Sequence, residues 1–452
     1  MMKRKILLGW LVLAIPAMLA AGGDSLKTRT FQISLITPVG TNGLESWSVI
    51  NRVSLNLLAG YGGGISGAEF NGLFSVLRTD VKGAQFSGLG SVVKGNVKGA
   101  QFCGLGTSVK GSVAGVQFSG LASVVGDKTR GAQFSGLFNI NGRKVCGVQF
   151  AGLANIAGGP LAGAQLAGLA NITSQVSRGF QAAGLLNLVP GGRISQAAGL
   201  LNVVTEDTKG AQVSGLLNIA ADSLIGAQIA GFVSVNAGKM HGLQISGLAN
   251  INSGHLRGAQ IAGLLNYTRK LNGVQIGVFN VVDSLERGVP VGFLSFVGNG
   301  YRTFEIAASE NFYGMISFKT GVRKFYNILS TGIGYRHDMA IWGWGYGLGG
   351  MVALADRWDL AIEGTCYQVN EGEWFTKRLN LLNRFSVTGS FRVTRHLTVF
   401  GGLSWNVTVA DITDEYGESV ESYIAPWSVF DEVYNGYINV KMYPGVVAGI
   451  RL

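Results

Sequence analysis

Charge, cysteine and proline are all scarce in this chain. Only 13% of its 452 residues are charged, and it holds 3 Cys and 7 Pro. Cys103, Cys146 and Cys366 are odd in number and scattered, so they form neither a disulfide framework nor a metal motif. Beyond the first residues no apolar run is long enough for a membrane-spanning helix. H-E-x-x-H, C-x-x-C, G-x-S-x-G and the P-loop are all missing, so no catalytic, cofactor-binding or metal-binding residue is assigned and the chain reads as non-enzymatic. The run Gly343-Trp344-Gly345-Tyr346-Gly347 is not followed by a strand–helix pattern, which favours a strand with glycines on one face over a phosphate cradle. His241, His255, His337 and His396 sit mostly at turn positions without a partner cluster. Asp411, Asp414, Glu415, Glu418 and Glu421 lack the ligand spacing of a calcium loop.

Glycine, by contrast, is abundant, at 70 residues, and most of it belongs to one phrase, G-A-Q-F-S-G-L-x-N-I. Its glutamines recur every sixteen residues at Gln85, Gln101, Gln117, Gln133, Gln149, Gln165 and Gln181, then continue to Gln275 with two steps of fifteen. A repeat of fixed length means one supersecondary unit copied many times. At period two, Ala132, Phe134, Gly136, Phe138 and Ile140 share one face, and Gly131, Gln133, Ser135, Leu137 and Asn139 the other. The first face needs only to be apolar. The second keeps particular shapes and hydrogen-bonding groups, and it supplies the candidate lumen-lining residues Gln85, Gln101, Gln133, Asn139 and Gln165, continuing at Asn171, Gln212, Asn218, Gln260 and Asn266.

Two all-β architectures fit. A straight ten-residue strand spans roughly 30 Å, whereas a connector such as Asn141 to Cys146 reaches only about 20 Å. Straight copies must then run antiparallel, as meander strands of an outer-membrane-type β-barrel. A bend at Gly136 would instead permit a parallel β-solenoid region joined to a roughly ten-stranded barrel, with Gln and Asn stacked in ladders. The meander is the first expectation, because an apolar face that varies freely in size suits lipid. The dearth of Trp and Tyr in the repeats counts against it.

The flanks are arranged around this region. Residues 1–22 have the basic start, apolar core and small-residue end of an export signal. Residues 31–61 carry two alternating strands, Phe31 to Pro38 and Trp47 to Tyr61, with Asn51 as a misfit on the apolar side. The 16-residue repeats occupy 62–300, and 301–452 holds aromatic-rich barrel strands with tight turns on one side and long loops at 370–379 and 411–436 on the other. The net charge of +11 is concentrated in connectors, at residues such as Lys82, Arg143 and Lys209, and fits solvated turns.

The G-x-Q-x-x-G-L-x-N units, followed by a segment ending P-G-V-V-A-G-I-R-L, resemble the bacterial surface repeat-containing proteins of outer-membrane location. That resemblance implies an envelope address and carries no catalytic residues. The expected role is a non-enzymatic outer-membrane or surface barrel with a structural function, in contact with membrane lipids and not nucleic acid. The alternatives are a pore for small polar solutes and an adhesin acting through the long loops.

Overall fold

The computed structural model describes residues 25–412 and 421–452, and the chain divides into two compact units, Met1–Gly126 and Asp127–Leu452. The signal expected at 1–22 lies outside the described residues.

Each repeat is one coil of a parallel β-solenoid. A seven-residue strand such as Val145–Ala151 turns at Gly152-Leu153 into a four-residue strand, Ala154–Ala157. A three-residue turn then leads into Leu161–Ala167, which lies parallel to Val145–Ala151 with Gln149 opposite Gln165. The corner requires glycine, because a Cβ on Gly152 would lie 2.0 Å from the carbonyl oxygen of Gly136. A second glycine column sits inside the long strand. Gly163 holds φ at +148°, and a Cβ there would lie 1.9 Å from the oxygen of Gly147. These two columns let successive coils stack as flat layers.

The antiparallel meander is therefore corrected. Its premise was a straight ten-residue strand, and the chain bends at the corner glycine, so a short connector suffices for a parallel return. The bend keeps the alternation on either side of the corner and turns only the corner residues out of it. Gln133 and then Asn139 and Asn141 turn inward, while Phe134, Phe138 and Ile140 turn outward. The corner leucines, placed on the amide face by period two, instead form an outward row in which Leu105 and Leu169 are more than two-fifths exposed.

In the first unit, Lys27–Ile36 and Val49–Gly62 pair parallel to each other and not as antiparallel wall strands. A register shift between Asn51 and Val53 explains the misfit. Val49 and Asn51 point inward before it, and Ser54 and Asn56 after it.

In the second unit, the coils running to Leu294–Val297 are followed by a nine-stranded antiparallel sheet covering Tyr301–Arg451. Its first strand, Tyr301–Ser309, pairs with its last, Ile438–Arg451, so the sheet closes on itself and Phe430–Tyr434 hangs outside the ring. The last coil is covered by this sheet. Asn327 donates to the Gly292 oxygen at 2.6 Å and accepts from the Ser295 amide at 3.0 Å, and Phe293 stacks on Tyr346 at 4.5 Å. Val322 and Phe325 pack against Leu271, Val282 and Val297. Groups that would otherwise be an open strand edge are thus satisfied.

The outer-membrane location and the lipid partnership rested on repeats that formed a membrane wall. Coils stacked in parallel form no such wall, and that basis is gone. No helix among the described residues is long and apolar enough to cross a membrane.

Candidate binding surface

The ten residues expected to line a lumen all lie inside the coils. Gln85, Gln101, Gln133, Asn139, Gln165, Asn171, Asn218, Gln260 and Asn266 are fully buried and Gln212 is 1% exposed. They form ladders of side-chain amides, one rung per coil. Gln165 Nε2 donates to Gln149 Oε1 at 2.8 Å, and Gln181 Nε2 donates to Gln165 Oε1 at 2.8 Å. The asparagines run the other way, since Asn155 Nδ2 donates forward to Asn171 Oδ1 at 2.9 Å and Asn171 forward to Asn187 at 2.9 Å. The dipoles of the two ladders therefore oppose each other, and a long stack accumulates little net field across the interior. The second hydrogen on each asparagine goes to a main-chain oxygen, as from Asn171 to Ala182 at 2.7 Å. In these rungs the amide's donor and acceptor are both engaged within the protein.

The ends of the glutamine ladders show what a rung requires. In the first unit, Glu69 takes the place of a glutamine. It accepts from Gln85 Nε2 at 2.7 Å, Ser75 Oγ at 2.8 Å and Asn56 Nδ2 at 3.3 Å. Donors approach from both sides, so an acceptor-only group fits where an amide would oppose one of them. Burial pushes the Glu69 carboxyl above its usual range, and its hydrogen bonds from Gln85, Ser75 and Asn71 pull the other way. In the second unit, Pro290 lies opposite Gln275, and Gln275 Oε1 has no donor among the described residues.

The closed sheet is filled by a charged core instead. Lys319, 1% exposed, donates to Glu305 at 2.6 Å and Glu363 at 2.7 Å, and Arg451 Nε reaches Glu305 at 2.8 Å. Tyr326 donates its hydroxyl to Glu363 at 2.6 Å. Burial works against the Glu363 charge, yet Lys319 and Arg451 outweigh it and hold this carboxyl below the usual range. Burial likewise raises the Tyr326 and Tyr301 hydroxyls far above their ordinary value. Nearer the loops, Arg384 bonds Ser309 and Asn311 at 2.8 and 3.2 Å. These side chains occupy the middle of the ring, as in small barrels whose interiors are filled.

The histidines and cysteines do not converge. His255 lies 3.2 Å from Glu286 and His337 stacks on Tyr423 at 4.5 Å. Cys103, Cys146 and Cys366 are free thiols. Among the described residues no group of His, Cys, Asp and Glu is placed to hold a metal ion.

Exposed aromatics occur on the two long loops that leave the closed sheet at its end remote from the coils. Strand register puts Arg336 beside Met339, Ile341 beside Glu371, Asn380 beside Ala410 and Asp411 beside Ile438. The loops after these strands therefore emerge together. Trp374 is 83% exposed, Phe375 72% and Trp427 51%. They are held by specific contacts. Trp342 donates to the Glu373 oxygen at 3.2 Å and meets Phe375 edge-on at 5.2 Å. Glu371 accepts from the Tyr423 amide at 3.0 Å and from Ser422 Oγ at 3.1 Å, and Trp427 donates to the Pro444 oxygen at 3.1 Å. Large aromatics on a supported frame are the usual anchors of a recognition surface. The long loops were legible in the sequence. Their aromatic tips were missed, because nothing in the spacing of Trp374 and Trp427 shows that they share one end.

No family model matches this chain, and no curated protein and no solved structure matches it.

Proposed function

We propose that this is a non-enzymatic binding protein of adhesin type, in which a repeat solenoid carries a closed antiparallel sheet whose loop end engages a macromolecular partner. The exposed set Trp374, Phe375 and Trp427 on braced loops is the observation that supports this reading. The resemblance of the repeat to bacterial surface repeat-containing proteins belongs to the same proposal. The geometry favours the loops over conduction, because Lys319, Glu305, Glu363 and Arg451 occupy the ring interior. The test is a binding screen of the full chain against immobilised glycans and cell-surface proteins, repeated with Trp374→Ala/Phe375→Ala/Trp427→Ala. The expected result is a ligand whose Kd rises about 100-fold or more in the triple variant at unchanged thermal stability. A ligand bound equally by the triple variant would sink the loop assignment.

A further inference from the structure

The solenoid of the second unit is built with its amide ladders inside and an apolar row outside. The outward residues of the short strands, Ile156, Ile172, Leu188, Val203, Ile219 and their equivalents to Phe296, stack in line and are apolar. Beside them runs the corner row, in which Leu185, Leu200, Leu216 and Phe232 are 44–53% exposed. From Phe138 to Val297 no short strand contains Asp, Glu, Lys or Arg. The long-strand face differs, because Arg130, Arg178, Arg193, Lys209 and Arg257 line its margin. A parallel sheet is ordinarily covered on both faces, and here one face of the short-strand sheet meets the amide ladders while the other is left uncovered by the described residues.

We propose that a second copy of this chain covers that face, the two short-strand sheets packing back to back in an isologous dimer. Three features of this face select that occupant. The face is ribbed at the spacing of successive coils, about 4.8 Å, as the 5.2 Å stacking of Phe134 on Phe150 shows on the neighbouring face. A surface of the same rib spacing interdigitates with it along its whole length, and another copy has that spacing by construction. Apart from Asp283, whose carboxylate accepts from the Tyr267 hydroxyl towards one end of the strip, the face is uncharged, so a two-fold contact about its middle brings no like charges together. Finally, stacked coils from Phe138 to Phe296 give a strip roughly 50 Å long and 15 Å wide, on the order of 750 Å² per partner, near the ~800 Å² of a stable interface. Sheets packed in this way lie about 10 Å apart with their side chains interleaved.

Sedimentation equilibrium of the full chain tests the proposal. The expected result is a dimer at micromolar concentration that Leu217→Lys/Ile219→Lys, at the middle of the strip, converts to monomer by raising Kd at least about 100-fold. Asp222→Lys, in the adjoining exposed turn, should leave the dimer intact. Should the double variant fail to fold, Ile219→Cys with the three native cysteines replaced by serine supplies the second measurement. A short bismaleimide must join two copies through position 219, close to the two-fold axis, and must not join Asp222→Cys copies. A wild-type chain that stays monomeric at about 50 µM, or that covers this face with vesicle lipid as a monomer, overturns the proposal. So does a dimer indifferent to both changes at 217 and 219.

Discussion

Replacing Gln165 with leucine tests the central energetic feature of the solenoid, that its stability resides in satisfied amides inside and not in the apolar residues outside. The substitution keeps most of the side-chain volume and removes one rung. Gln149 Oε1 loses its donor at 2.8 Å. Gln181 Nε2 loses its acceptor at 2.8 Å and keeps only Thr173 Oγ1 at 3.0 Å. Thr173 in turn loses its own bond to Gln165 Oε1 at 3.1 Å. All of these residues are buried, and each stranded buried group costs about 1–3 kcal/mol. Two such groups, offset by about 1 kcal/mol of extra apolar burial, give a net loss of about 1–5 kcal/mol. Leu166→Ala is the control, one residue along and pointing outward. A partly exposed leucine loses only part of the usual truncation cost, about 1 kcal/mol. The assay is urea unfolding of the full chain, with amide hydrogen exchange read across Val145–Val189, because repeat arrays open locally. If Gln165→Leu lies within about 0.5 kcal/mol of wild type, or costs less than Leu166→Ala, the ladder does not hold the coils together.

Gly163→Ala places a Cβ 1.9 Å from the Gly147 oxygen at φ +148°. It should cost at least about 3 kcal/mol, seen as a lowered thermal midpoint and loss of exchange protection in the flanking coils. Glu363→Gln removes one of the two carboxylates that neutralise Lys319, and should destabilise the second unit by about 3 kcal/mol at neutral pH. The folded-state pKa of Glu363 lies below the reference value of 4.5, so its stabilisation is present above that value and is lost as pH falls through the lowered one. Thermal unfolding of wild type and variant should therefore converge as pH falls, and a gap that widens towards acid would reject this assignment.

By itself, the sequence determined that the chain is a β repeat with a sixteen-residue unit, that Gln and Asn are fixed in it, and that one set of faces need only be apolar. Those features are local, because alternation and spacing are written along the chain. The direction of each strand was not. A ten-residue period-two pattern looks the same whether it runs straight or folds at Gly136, and the two readings place Leu137 on opposite kinds of surface. Only the stacked structure decides between them, because the corner depends on the clearance between Gly152 and the oxygen of Gly136, sixteen residues away. Likewise Gln165 announced a hydrogen-bonding need, but its partners Gln149 and Gln181 become neighbours only when coils stack in register. The cluster of Lys319, Glu305, Glu363 and Arg451 was invisible for the same reason. Closure of the sheet brings Arg451 to Glu305 across 146 residues of chain, and a contact between such distant residues leaves no trace in local pattern.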